Sequence, residues 1–145
     1  MTTRIIGTGS YVPEQIVTND DLSKIVETND EWIRSRTGIR ERRIATEDGT
    51  SDMAAKAAAR AIEQAAILPE EIDLILLATS SPDSCFPNGA CEVQAKLGAV
   101  NAACYDISAA CTGFVFALST AHAFISAGIY KTALVIGAED RKSVV

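Results

Sequence analysis

One cysteine stands where a nucleophile would be placed. In Asp106-Ile-Ser-Ala-Ala-Cys-Thr-Gly-Phe114, a strand-like run over Ala103–Ile107 meets a long apolar stretch of helical length, about 112–127. Cys111 falls at the turn between them. A cysteine at a helix N-terminus faces unpaired backbone N–H groups and the positive end of the helix dipole. Both favour the thiolate, the form that attacks an electrophilic carbon. The small neighbours Ser108, Ala109, Ala110 and Gly113 let other backbone come close, as in a nucleophile elbow carrying sulfur in place of oxygen. The competing reading is a buried structural thiol, the commonest state of a free cysteine. No base for Cys111 is available along its own helix. His122, the sole histidine, lies eleven residues on, roughly 16 Å away at about 1.5 Å of rise per residue.

A second cluster is basic. Five of the eight arginines, Arg34, Arg36, Arg40, Arg42 and Arg43, crowd one short stretch of an otherwise acidic chain. They suit an anionic partner such as a phosphate or an acidic protein, or a solvated surface with local ion pairs. Trp32 lies one helical turn before Arg36, so indole and guanidinium can share a face. Together they could hold a nucleotide by stacking and phosphate pairing; alternatively, Trp32 is a core anchor. Cys85 and Cys91, either side of Pro87, read as structural.

The chain has 145 residues, 48% of them hydrophobic, with a net charge of −6 from 13 basic and 19 acidic side chains. That supports a core for one domain or one half of a two-lobed protein. The acidic balance argues against a nucleic-acid partner. No run reaches the length of a membrane span, and the start Met-Thr-Thr-Arg-Ile-Ile lacks a signal-peptide core. The expectation is a cytoplasmic protein with no membrane contact. The cysteines at 85, 91, 104 and 111 form no Cys-x-x-Cys pair, and with a single histidine they predict no metal site. Reduced thiols suit the cytoplasm.

The elements that must position these groups can be read in order. Residues 5–9 predict a strand, closed by Gly7, Gly9 and Pro13. Asn19 predicts the N-cap of a short helix with Leu22, Ile25 and Val26 on one face. Thr28-Asn-Asp-Glu31 has capping-box spacing and opens a second helix, with Trp32 and Ile33, that stops at Gly38. Thr50-Ser-Asp opens an alanine-rich helix to about residue 66, stopped at Leu68-Pro69. Leu74–Ala78 is an unbroken apolar run of strand length, predicting a strand covered on both faces. A loop over 80–88, a helix over 90–97 stopped by Gly98, a Gly128 C-cap and a last strand at Ala133–Gly137 complete the series. The alternation predicts an α/β layer with a mixed, mostly parallel sheet and helices on both faces. Phe114, Val115, Phe116, Leu118, Ala121, Ala123, Phe124 and Ile125 make the helix after Cys111 apolar nearly all round. Such a helix is buried on most sides, which predicts a place between two sheets, one of them from outside this chain.

Four motifs in this order and spacing, Gly7-Thr-Gly-Ser-Tyr-Val-Pro13, Asp30-Glu-Trp-Ile33, Arg36-Thr-Gly-Ile-Arg-Glu-Arg42 and Ala109-Ala-Cys-Thr-Gly-Phe114, resemble the β-ketoacyl-acyl-carrier-protein synthase III family. The resemblance runs from about residue 4 to 139. It implies the N-terminal half of a thiolase-like fold, two similar α/β halves in a five-layered sandwich, with the second half absent. It implies an acyl transfer that initiates fatty-acid synthesis: acyl-CoA acylates Cys111, and malonyl-acyl carrier protein then decarboxylates and condenses with the acyl group. Thr28, Trp32 and Arg36 match CoA-binding positions, and Phe86 matches a residue closing the partner subunit's acyl pocket in a homodimer. CoA is a substrate here, and no cofactor is implied. The family's decarboxylating histidine and asparagine, and the glycine giving the second oxyanion donor, belong to the half not present. The expectation is therefore a 1–139 thiolase-like half followed by a divergent tail, 140–145, in a polypeptide inactive in condensation by itself. A condensing enzyme of secondary metabolism, or a non-catalytic dimerising module, are the alternatives.

Overall fold

The computed structural model describes residues 3–140. In chain order its elements are β1 (Gln15–Thr18), α1 (Asn19–Ser23), α2 (Asp30–Thr37), β2 (Glu41–Ile44), α3 (Thr50–Ala65), β3 (Leu74–Ala78), α4 (Gly89–Leu97), β4 (Ala103–Ile107), α5 (Gly113–Ser126) and β5 (Ala133–Gly137). The described residues fall into two compact units, 3–11 with 49–140, and 12–48. Among the described residues no helix is long and apolar enough to cross a membrane.

The first unit is built on a parallel sheet in the order β4-β3-β5. The central strand is the predicted apolar run, and all five of its residues are buried. Its period of two splits them between two cores. Ile75 and Leu77 pack with Ala54, Ala55, Ala58 and Ile62 of α3 and with Ala90 and Val93 of α4. Leu74, Leu76 and Ala78 pack with Ala117 and Ala121 of α5. Helices thus cover both faces, as the alternation predicts. The small side chains of α3 and α5 let those helices sit close to the sheet. Elsewhere on α5, Phe114, Val115, Phe116 and Leu118 are between 42% and 60% exposed.

Two carboxylates reach across the chain to cap helices. Asp83 accepts the N–H groups of Thr50 and Ser51 at 2.7 and 2.8 Å, starting α3. Asp106, on β4, accepts those of Gly89 and Ala90 at 2.9 and 2.8 Å, starting α4. Partial burial opposes the charge on Asp83, but the hydrogen bonds from Ser51 and Thr50 and the nearby Lys96 ammonium outweigh it and hold its carboxyl below the usual range.

The predicted strand over 5–9 is not one. This segment lies along α3, and its polar groups bond α3 side chains: Thr8 N–H donates to Gln64 Oε1 at 2.6 Å, and the Ser10 carbonyl accepts from Arg60. A Cβ on Gly7 would meet the Ala61 carbonyl, and one on Gly9 the Ala57 carbonyl. These glycines serve close approach to a helix, not the ends of a strand. The expected divergent tail begins at Asp140, which is buried and donates its N–H to Ser81 Oγ at 2.8 Å; residues 141–145 lie outside the described residues.

The second unit pairs β1 with β2 antiparallel, Thr18 opposite Glu41 and Gln15 opposite Ile44. The predicted caps shift by one residue. Thr18, not Asn19, caps α1, in a reciprocal box with Asp21. Helix α1 ends at Ser23, and Ile25 and Val26 beyond it are exposed. Asn29, not Thr28, caps α2 through the Trp32 N–H at 2.8 Å. Gly38 stops α2 with φ 74°, as the sequence predicts.

Candidate active site

Three parallel strands end side by side in the first unit, and Cys111 lies just past the middle one's neighbour, β4. The strand ends are tied together. Thr79 N–H donates to the Ile107 carbonyl, and Ala138 N–H to the Ala78 carbonyl. Glu139 accepts the Ser80 N–H at 2.8 Å and the Ser81 hydroxyl at 2.7 Å. Crevices at the carboxyl ends of parallel strands are where α/β folds place their ligands.

Between β4 and α5 the chain makes one short 3-10 turn, Ala110–Thr112. It is held by the Thr112 N–H and hydroxyl, both donating to the Ala109 carbonyl, and by the Gly113 N–H donating to that of Ala110. Ala110 has φ +44°, a left-handed conformation that strains a residue with a Cβ by about 1–2 kcal/mol. Gly113 is buried, and a Cβ there would sit 3.3 Å from the Ala78 Cβ. The turn therefore lies tight against the end of β3 on one side. On the other side Cys111 is exposed to solvent, so the buried structural reading fails for this thiol. The turn is 3-10 and α5 begins at Gly113, two residues after the cysteine rather than on it. What sequence reasoning missed is the left-handed residue directly before Cys111. An alanine carries no sign of it.

The other candidate groups of this unit are occupied or apart. His122 Nδ1 is 2.8 Å from Thr3 Oγ1, and its Nε2 is 3.5 Å from Ser126 Oγ, so the imidazole is engaged well along α5. Cys104 is half-buried, and burial, the neighbouring Cys91 thiol and the Asp106 charge push its thiol up to about 11. Phe86 is 92% exposed on the loop before α4, pointing away from its own chain.

Thr28, Trp32 and Arg36 belong to the second unit. Trp32 is 52% exposed, so it is not a core anchor. The Arg36 guanidinium lies 4.6 Å from the indole centroid, the shared face that the one-turn spacing predicts. The arginine cluster divides between the two readings left open by the sequence. Arg34 pairs with Asp30 at 3.2 Å and Arg43 with Glu41 at 3.7 Å. Arg42 donates to Asn19 Oδ1 at 2.9 Å and to the Val17 carbonyl. Arg34 and Arg40 line an open depression of about 460 Å³ with Asp30, Glu31, Ser35 and Gly38. Asn19 links three parts of this unit. It is buried, and its Nδ2 donates to Asp30 Oδ1 and the Ile39 carbonyl, both at 2.8 Å.

A parallel sheet sandwiched by helices, with an exposed cysteine on a strained turn into an apolar helix, defines the N-terminal half of a thiolase-like fold. Comparison with known proteins agrees. Residues 105–145 match the family 3-Oxoacyl-[acyl-carrier-protein (ACP)] synthase III. The β-ketoacyl-[acyl-carrier-protein] synthase III of Clostridium acetobutylicum is 69% identical over 135 residues, covering 93% of this chain and 42% of the relative. The crystal structure of 3-oxoacyl-[acyl-carrier-protein] synthase III from Aquifex aeolicus superposes with a TM-score of 0.95 at 54% identity, covering 98% of this chain and 46% of that one. The priming β-ketosynthase of the R1128 polyketide biosynthetic pathway superposes with a TM-score of 0.90 at 39% identity, covering 94% and 41%. Over nearly its whole length the chain matches the N-terminal half of proteins of the 3-oxoacyl-acyl-carrier-protein synthase III family. It spans a little under half the length of the relatives it matches.

Proposed function

We propose that this chain is the nucleophile-bearing half of an enzyme that condenses an acyl-CoA with malonyl-acyl carrier protein. The observation that carries the reading is the exposed Cys111 on its strained turn at the carboxyl ends of the parallel strands. The Cys111 thiolate attacks the thioester carbonyl carbon of acyl-CoA, a new S–C bond forms, and the tetrahedral oxyanion collapses with departure of the CoA thiolate. The backbone N–H of Cys111 serves as one of the two donors such an oxyanion needs. Malonyl-acyl carrier protein then loses CO₂. The resulting enolate carbon bonds to the acyl carbon, and the Cys111 thiolate leaves. The product is a 3-oxoacyl-acyl carrier protein.

In the second unit Trp32 offers its indole face to the CoA adenine and Arg36 its guanidinium to a CoA phosphate, with Thr28 nearby. The exposed Phe86 closes the acyl pocket of a second copy in a homodimer. CoA acts as a substrate, and the chemistry calls for no cofactor. The pathway reading is fatty-acid initiation in the cytoplasm. It rests on the 69% identity to the Clostridium acetobutylicum relative, against 39% to the polyketide priming synthase.

The test is an assay of labelled acetyl-CoA with malonyl-acyl carrier protein. The chain is supplied alone, then with a separately expressed second half from the Clostridium acetobutylicum relative. We expect 3-oxoacyl product only with both halves, and none from Cys111→Ala with the second half present. Product from the Cys111→Ala pair would remove Cys111 from the reaction.

A further inference from the structure

The sulfurs of Cys91 and Cys104 are 3.4 Å apart, and neither has a part in the chemistry assigned to Cys111. Their closeness is built by the fold. Cys91 sits in the first turn of α4, where Asn88 caps its N–H at 2.9 Å. Cys104 is on β4, and Asp106 is two residues on, so both point to the same face of the sheet. The Asp106 carboxylate binds the N–H groups of Gly89 and Ala90, which pins the start of α4 over β4 and sets Cys91 opposite Cys104. Gln94, one turn further along α4, accepts from the Cys104 thiol at 3.3 Å and donates to the Ala102 carbonyl at 2.6 Å. Both thiols are half-buried and free.

From this geometry we infer that Cys91 and Cys104 form a dithiol that a hydroperoxide converts to an intramolecular disulfide joining α4 to β4. The Cys91 thiolate attacks the distal peroxide oxygen, the O–O bond breaks, and the alkoxide or hydroxide leaves and is protonated. Cys91 is then a sulfenic acid. The Cys104 sulfur attacks the Cys91 sulfur, the S–O bond breaks, and the hydroxyl departs as water with the Cys104 proton. In total two thiols and one hydroperoxide give one disulfide, one water and one molecule of the corresponding alcohol, which for hydrogen peroxide is a second water. The sulfurs must close from 3.4 Å to the bonded separation of about 2.0 Å, and Cys104 gives up its bond to Gln94. The order of events follows from the surroundings. The Cys104 thiol is engaged by Gln94 Oε1 at 3.3 Å on the strand side, whereas Cys91 lies at the start of α4, so Cys91 takes the oxygen and Cys104 resolves it.

The test treats the wild-type chain with graded hydrogen peroxide, blocks remaining thiols with iodoacetamide, and maps peptides without reductant. The expected result is loss of two hydrogens in the intact mass, a cross-linked peptide pair carrying Cys91 and Cys104, and return of both thiols with dithiothreitol. In Cys104→Ser the oxidised Cys91 accumulates as a sulfenic acid trapped by dimedone. In Cys91→Ser the thiol of Cys104 survives the same peroxide dose. Cross-links that instead join Cys85 or Cys111, join two chains, or leave Cys91 and Cys104 both alkylated at peroxide levels that consume Cys111, would overturn the assignment.

Discussion

Cys104 and Cys111 belong to the same stretch of chain, yet their surroundings are opposite. Cys104 is pressed against the core and held as a thiol up to about 11, whereas Cys111 stands open to solvent. Competitive iodoacetamide labelling at neutral pH should modify Cys111 first of the four cysteines and Cys104 last; faster reaction at Cys85 or Cys91 would show that the turn does not present Cys111 as described. Labelling of Cys104 should climb only as pH approaches 11. The linked effect on stability has a definite sign. The fold disfavours the Cys104 thiolate, so its contribution is intact below the ordinary thiol value of 9.0 and is lost as pH rises from there through about 11. Thermal unfolding followed across that range, with Cys104→Ala as the control, would measure it. Sequence showed Cys111 because strand, small residues and apolar helix are all local to it. It did not show Asn19, which reads as a helix cap but is a buried hub, because its partners Ile39 and Arg42 come from another part of the chain.

The elements divide in the same way. The strand β3 was legible because five consecutive apolar residues can satisfy only a position covered on both faces. Leu76→Ala should therefore lower the unfolding free energy by about 2–5 kcal/mol, read from urea denaturation, with little change in the denaturant slope. The hairpin of β1 and β2 was not legible. Glu41-Arg-Arg-Ile44 is short and charged, and its pairing with Gln15–Thr18 rests on main-chain bonds and on the Arg42 side chain's bond to the Val17 carbonyl. The caps supplied from far along the chain were equally hidden, since Asp83 lies more than thirty residues from the N–H groups it binds. Asp83→Ala should cost about 1 kcal/mol at neutral pH, as the loss of a helix cap does. The carboxyl is held below its ordinary value of 3.8 in the fold. The difference between wild type and Asp83→Ala should accordingly be full above that value and shrink as pH falls through it.

At the scale of the whole molecule, the exposed apolar side chains of α5 govern behaviour. Phe114, Val115, Phe116 and Leu118 each expose apolar surface on a helix that buries Ala117 and Ala121, and exposed apolar surface drives association. Sedimentation at micromolar concentration should show dimers or larger species. Val115→Glu with Phe116→Ser should shift them towards monomer, since neither side chain belongs to the core; a well-folded wild-type monomer would contradict this. The all-round apolar character of α5 was plain in the sequence, but which side chains would be left exposed was not, because that depends on which side carries Ala117 and Ala121 against β3. On the proposed chemistry the 145-residue chain alone should give no measurable 3-oxoacyl product, since the Cys111 N–H would be its single oxyanion donor and its only imidazole is tied to Thr3; losing one such donor costs roughly a hundred- to a thousand-fold. Acylation of the thiol needs less. The most direct measurement is peptide mass mapping of the chain after incubation with acetyl-CoA. The expected result is one acetyl group, on the peptide containing Cys111, absent in Cys111→Ala and removed by hydroxylamine. Acetyl spread over lysines or placed on Cys85, with Cys111 unmodified, would contradict it.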